Sequence, residues 1–272
     1  SVLSFINTLF TKIIKNRAWF ILAGLAVFIK IFSLFPAAVE TYYTYGLYPV
    51  ISKIQRFLLG WIPFSIGDLF YGFLGLIIVI KTFQFFKTIF KKQFTKEYFI
   101  TGLKQLLFFV LFVYVFFNAL WGLNYNRKGI AYQLQLDVKK YTVQDLDTLS
   151  IKLHDRLNFY ASQIDTVKRE QLEKKRNMFR QAAETYGIID KQYPFLAYRT
   201  KSLKPSIYSY VSHYIGFYGY YNPFSGEGQV QTIVPVFVQP YVACHEIAHQ
   251  LGYAKENEAN FVGYLACREY PS

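Results

Sequence analysis

Histidine, cysteine and methionine are all scarce in this chain of 272 residues, which has four, two and one of them. Two cysteines, Cys244 and Cys267, are too few for a disulfide framework of the kind that holds small secreted domains. They leave one disulfide or two free thiols as the alternatives. Charge is also short: Asp, Glu, Lys and Arg make up 17% of the chain, against ~25% in soluble globular proteins. The deficit is local, because the long apolar runs lie mostly within the first 123 residues. No internal repeat and no low-complexity tract is present, which excludes a solenoid or a disordered linker protein. The chain opens on Ser1 and its one methionine is Met178, so it is read as a processed or trimmed chain.

Acidic residues are outnumbered, 17 to 30, giving a net charge of +13. A basic balance fits a nucleic-acid binder or a membrane protein with lysine-rich inner loops, and the placement of the charges decides between them. Three segments read as membrane spans: residues 18–39, 66–86 and 106–123. Each approaches the ~20 apolar residues a spanning helix needs. The third has no charge. Lys30 and Lys81 interrupt the other two and are read as snorkelling towards an interface. Asp68 is read as interfacial, and Trp19, Trp61 and Trp121 fall near span ends. Lysines precede the first span and crowd residues 87–104, with Glu97 as the only acid there. The positive-inside rule therefore puts the N-terminus and that loop in the cytoplasm and everything after residue 124 outside. The basic balance needs no nucleic acid. Residues 2–14 are read as an apolar helix along the inner surface or as an extension of the first span, and residues 41–57 as a tyrosine-rich outer loop.

After "NYNRKG" the composition changes, dividing the chain into a membrane domain, 1–124, and an extracytoplasmic domain, 125–272. Residues 142–164 carry apolar side chains at Leu146, Leu149, Leu153, Leu157, Tyr160 and Ile164, an amphipathic helix opened by Thr142 and Asp145. His154 sits on its solvated face. A charged helix is expected over 167–186, stopped by Gly187. Residues 208–239 are aromatic and glycine-rich. "NPFSGEG" is turn chemistry, and "VQTIVPVFV" reads as an edge or bulged strand interrupted by Pro235.

Two of the four histidines are spent in "HEIAH". On a helix, residues i and i+4 share a face, so His245 and His249 can bind one Zn2+. Glu246 is placed to take a proton from water at the metal. The helix is opened by Pro240 and ends at Gly252. A catalytic zinc generally takes three protein ligands and leaves one position open. Glu256 and Glu258 are the nearby acids. On a straight helix both would stand ~10 Å or more from His249, so the chain must turn at Gly252 and start a second helix over about Lys255–Cys267.

The sequence also resembles the domain of unknown function 3810 family, bacterial multi-pass membrane proteins with a zincin-like motif. The resemblance is carried by "WIPFSIGDLFY", "WGLNYNR", "GYYNPFSGEGQVQ" and "ACHEIAHQLGYAKENEANFVGYLAC". It implies three transmembrane helices followed by an extracytoplasmic α+β zincin-like domain, mainly α overall, in the bacterial cytoplasmic membrane. "EANF" is similar to the E-A-N/D-x-F element of phage-repressor-clearing metallopeptidases, where the glutamate before alanine is the third zinc ligand. In those enzymes the element lies further from H-E-x-x-H and its aromatic comes one residue later. This resemblance implies Glu258 as the third ligand. The spacing of Phe261, Val262 and Leu265 after Glu258 is consistent with it and sets Glu256 towards water or at the helix start.

The expected function is a membrane-anchored zinc metallopeptidase acting on a peptide or protein outside the membrane, with Glu246 as proton acceptor. Residues 229–238 are expected to hold an extended substrate by strand addition. Tyr221, His213 and Tyr264 are candidate oxyanion donors. The competing class is a non-enzymatic scaffold or sensor whose structural zinc has its fourth position closed by Cys244 or His213. A zinc hydrolase of cell-wall or lipid groups is a third.

Overall fold

The computed structural model describes residues 16–163 and 175–269. It is mainly helical, with one small three-stranded mixed sheet, and forms two compact units. The helical stretch expected over residues 2–14, the start of the helix expected at 167, and Ile164 lie outside the described residues.

The first unit runs to Arg127 and also takes in Tyr221–Glu227. Its first helix, α1 (Asn16–Phe32), stops short of the span expected over 18–39. The break has a local cause: Pro36 cannot donate to a continuing helix, and Phe35 before it is forced out of helical geometry at φ −114°, ψ 80°. Helix resumes at Pro36–Ala38, widens into a π-helical stretch at Val39–Leu47 and continues as α2 (Tyr48–Leu59), bent 102° from α1. The tyrosine-rich region 41–57 is thus helix rather than an outer loop.

Two helices follow, α3 (Ile66–Phe90) and α4 (Lys96–Leu120), each of 25 residues. At 1.5 Å per residue each is ~37 Å long, more than the ~30 Å of a bilayer core. Both are long and apolar enough to cross a membrane, and the bent first pair makes three if it counts as one span. Ser65 caps α3 by accepting from the Asp68 amide at 3.0 Å, and Thr95 caps α4 by accepting from the Tyr98 amide at 3.1 Å. A tight turn, with Lys92 in the left-handed region at φ 55°, joins them. Both helices therefore extend well into the lysine-rich stretch that the sequence suggests is a loop. Asp68, read as interfacial, is fully buried in the first turn of α3.

Several buried polar groups of this unit pair across long stretches of the chain. Glu40 on the π-helical stretch meets Arg127 at 3.0 Å in a buried ion pair, and Thr44 donates to Asn124 at 3.0 Å. Asn124 and Arg127 belong to "WGLNYNR", so that motif is the polar lock on the bent helix. The tip of the hairpin at 221–227 belongs to the same unit. Asn222 Oδ1 accepts from the amides of Phe224 and Ser225, forming an Asx turn. Glu227 accepts from Gly67 N (2.7 Å), Ile66 N (3.3 Å), Ser65 Oγ (3.3 Å) and Ser225 Oγ (3.0 Å). A carboxylate on the free amides at the start of a helix is favoured by hydrogen bonding and by the helix dipole. A Cβ at Gly67 would collide with Asn222 and Ser225. "WIPFSIGDLFY" and "GYYNPFSGEGQVQ" thus meet at this junction.

The second unit comprises Lys128–Tyr220 and Gly228–Ser272. Helix α5 (Val143–Ala161) has the expected capping box between Thr142 and Asp145, but its row of leucines is exposed along its whole length. Helix α6 (Lys175–Ile189) runs through Gly187 instead of stopping there. Gly187 does not adopt the positive φ a helix stop requires, and burial of Ile189 holds the last turn in place. The sheet has the order β1-β3-β2, formed by β1 (Leu203–Pro205), β2 (Gly219–Asn222) and β3 (Glu227–Val230), with β1 and β3 parallel. Between β1 and β2 lies α7 (Ser209–Ile215), and α8 (Gln239–Gln250) and α9 (Glu256–Arg268) close the chain. The expected edge strand over 229–238 is not formed. β3 ends at Val230 and is the central strand, so both its sides are occupied and it cannot accept a further strand. The core of this unit gathers Met178, Tyr186, Leu196, Ile247, Tyr253 and Val262 around α8.

Candidate metal centre

The centre is built by two helices and a turn. Pro240 lies in the first turn of α8, and the chain reverses at Gly252, whose φ of 87° is open to glycine and strained for other residues. Helix α9 then packs back on α8. The backbones come close at Gly263, where a Cβ would come within 3.1 Å of the His245 amide nitrogen. Tyr186 secures the other side of α8 by donating to the Cys244 carbonyl at 2.6 Å, and Gln250 bonds Tyr198 and Ser202.

His245 and His249 stand one turn apart with ring centroids separated by 4.6 Å. The carboxylate that joins them is Glu256. Its oxygens lie 3.3 Å from His245 Nε2 and 3.4 Å from His249 Nε2. One ligand atom from each of these three residues falls within 4.8 Å of the others, close enough to hold one metal ion. Glu258, expected to face the histidines, does not; Glu256 does, while keeping most of its side chain in solvent as expected. Glu258 is largely buried, turned against Gly129 and 3.4 Å from Lys255 Nζ. The cause is the rotation of α9. Its buried face is Ala259, Val262, Gly263 and Ala266, while Phe261 is exposed. The two glutamates therefore flank that face on opposite edges, and the edge with Glu256 is the one beside α8.

The donor set fits a metal. His249 Nδ1 lies 2.7 Å from the Tyr253 carbonyl. A carbonyl only accepts, so Nδ1 carries a proton, and Nε2, which faces Glu256, is the nitrogen a cation would take, an outer-shell arrangement typical of metal-binding histidines. Burial drives His245 down to a pKa of about 4, with His249 adding to the effect, so its ring is neutral at pH 7. For His249 burial works downward too, but hydrogen bonding to Glu256 and the charge of Glu246 outweigh it and the pKa is raised. The Glu256 carboxyl is held below its ordinary range, chiefly by its bond to His249.

Glu246 is on the same helix but not in the cluster. It is 2% exposed and fits a slot left by two strand glycines. A Cβ at Gly219 would collide with Glu246 Oε1, and one at Gly228 would come within 3.0 Å of its Cβ. Its Oε2 is buried with no hydrogen-bond partner among the described residues. Burial pushes its pKa up to about 8, with His249 opposing and Glu256 assisting. A cation at the histidines would pull that value back down.

The spacing of the motif does not reveal Gly219 and Gly228, although the glycines of "GYYNPFSGEG" are the visible signal. Nor does it reveal Asn260 beside His245, or Tyr241, which donates to Asn260 Oδ1 at 3.0 Å. Of the candidate oxyanion donors, Tyr221 belongs to the first unit and packs on Trp121 at 5.0 Å between centroids. His213 is exposed on α7, and Tyr264 bonds Arg156 at 3.4 Å. Cys244 and Cys267 are free thiols.

The fold and the centre together define a protein with two or three candidate membrane helices and a His-His-Glu group able to hold a metal ion. The chain belongs to the family described as "Protein of unknown function (DUF3810)", which matches residues 43–272. No curated protein and no solved structure matches it.

Proposed function

We propose that this protein is a membrane-anchored zinc metallopeptidase that hydrolyses peptide bonds outside the cytoplasmic membrane. The observation that carries the reading is Glu246: a buried carboxyl group with one oxygen unpartnered among the described residues, beside a three-residue group suited to one metal. A buried, unsatisfied acceptor is costly and persists where function requires it. His245, His249 and Glu256 would hold the zinc. Bound there, it supplies Lewis acidity towards a carbonyl and towards water. Glu246 accepts the proton of the attacking water and returns it to the leaving amine. His249 keeps its orientation through Tyr253, and Glu256, exposed over 75% of its side chain, marks the side open to substrate.

The orientation rests on the lysines around the α3–α4 turn, which favour the cytoplasm. Both distal ends of that helical pair then lie outside, and so does the chain after residue 124, whether or not the bent first segment crosses. The deciding experiment uses the full chain purified in detergent. Glu246→Gln should retain one zinc per chain by metal analysis yet lose hydrolysis of a peptide library read by mass spectrometry. Undiminished hydrolysis would overturn the reading, and so would an unsubstituted chain that binds zinc and cleaves no peptide. Labelling of introduced cysteines in 142–161 only from the cytoplasmic side would overturn the orientation.

A further inference from the structure

Helix α7 is built inside out. Its serines point inward: Ser209 and Ser212 are buried, Ser209 donates to the Ser206 carbonyl at 2.7 Å, and Ser212 donates to the Tyr208 carbonyl at 2.9 Å. Gln231 reinforces this side by donating to the Phe217 carbonyl at 2.8 Å. The outward face is apolar. Tyr210, Val211, Tyr214 and Ile215 are all exposed, Tyr214 to 90%, and after the turn at Gly216 the surface continues with Phe217 and Tyr218. A surface helix in water has the opposite arrangement. Charge is absent as well: the chain has no Asp, Glu, Lys or Arg between Lys204 and Glu227.

We propose that this aromatic face lies in the outer interface of the bilayer that α3 and α4 cross. Tyrosine and phenylalanine without charge match the boundary between headgroups and acyl chains, where an amphipathic ring keeps one end wet. Chain connectivity bounds how far the face can lie from the start of α3. Tyr218 is followed three residues later by Tyr221, the start of the hairpin tip that belongs to the first unit. That tip ends in Glu227, which caps α3 at the end away from the lysine turn. Three residues reach at most ~10 Å, comparable to the thickness of the interfacial layer. Resting on the hydrolase reading, a consequence is that substrate reaches the centre along the membrane surface, because Gly219, next after Tyr218, stands against Glu246.

The test reads lipid contact directly and needs no activity, so its failure is separate from failure of the hydrolase reading. The full chain carrying Cys267→Ala and Tyr214→Cys is labelled with a nitrobenzoxadiazole probe and reconstituted in phosphatidylcholine vesicles. Ile215→Cys provides a second position on the same face, and Lys152→Cys on α5 is the water-exposed reference. Labels at 214 and 215 should emit at shorter wavelength. They should be quenched by lipids with a nitroxide near the headgroup, and several-fold less than the label at 152 by aqueous iodide. Iodide quenching equal to that at 152 would overturn the proposal. Shielding from both quenchers would also overturn it, and would mean that protein covers the face instead.

Discussion

Two buried glutamates, one in each unit, differ in nearly everything but burial. Glu227 is 0% exposed and Glu246 2%. Glu227 accepts four hydrogen bonds, two of them from free amides at the start of α3. Glu246 has one oxygen without a partner, in a slot shaped by two missing side chains. A buried carboxylate is tolerated where donors replace its water, as at Glu227, and that is a stabilising arrangement. Where donors are withheld the fold loses stability, and the group keeps its capacity to bind a proton. The same side chain therefore serves as structural fastener in one place and as candidate proton acceptor in the other.

The sharpest way to break this contrast is to neutralise each. Glu246→Gln removes the proton acceptor, and peptide hydrolysis should fall ~10²–10⁴-fold, while the melting temperature stays the same or rises. A marked drop in melting temperature would place Glu246 with Glu227 as a structural group. Glu256→Ala should come next. Changes to outer-shell partners cost ~10–100-fold in metal affinity, and loss of Glu256 should exceed that in a zinc titration, whereas Glu258→Ala should change affinity little. The reverse result would restore the ligand assignment suggested by the E-A-N/D-x-F resemblance. Gly219→Ala tests the slot. A Cβ there meets Glu246 Oε1, so hydrolysis should drop sharply with zinc content unchanged, and normal turnover would show that the slot does not position the carboxylate.

Glu227→Ala should leave the isolated chemistry alone and lower stability by ~3 kcal/mol, the scale of losing charge-assisted hydrogen bonds to a buried group. Thermal unfolding in detergent checks it, and an unchanged melting temperature would refute the fastener role. The smallest effect belongs to the exposed cap of α5. The Thr142 amide and hydroxyl hold Asp145 below its ordinary pKa. A folded pKa below the unfolded one contributes stability above the ordinary carboxylate range, and that contribution is lost as pH falls through the folded value. Amide protection in residues 143–148, corrected for the intrinsic pH dependence of exchange, should thus fall on acidification, and Asp145→Asn should flatten that pH dependence.

What could be read from the chain follows the range of the interactions. The histidine pair, the helix opened by Pro240, the reversal at Gly252 and the second helix near 255–267 rest on neighbours within a few residues. The structure has α8 at 239–250 and α9 at 256–268. The capping box of α5 is equally local. The first span shows the limit of hydropathy. Residues 18–39 are apolar apart from Lys30 and Ser33, but Pro36 breaks the helix whatever the hydropathy, and the tyrosine-rich stretch beyond it folds as helix because Glu40 and Thr44 find Arg127 and Asn124 eighty or more positions later.

The sequence by itself determined which residues of this protein could do chemistry: two imidazoles one turn apart, a glutamate between them, and two acids on the next helix. It also determined that long apolar helices and a clustered lysine turn precede them. Only the tertiary structure decided which of Glu256 and Glu258 stands beside the histidines, because that placement depends on the rotation of α9, set by Gly263 against His245 and by Ala259, Val262 and Ala266 in the core. Only it separated Glu246 from Glu227, since what surrounds a carboxylate comes from strands and helix ends distant in the chain. Periodicity reports the face a residue occupies on its own element; the partner across that face is fixed by packing.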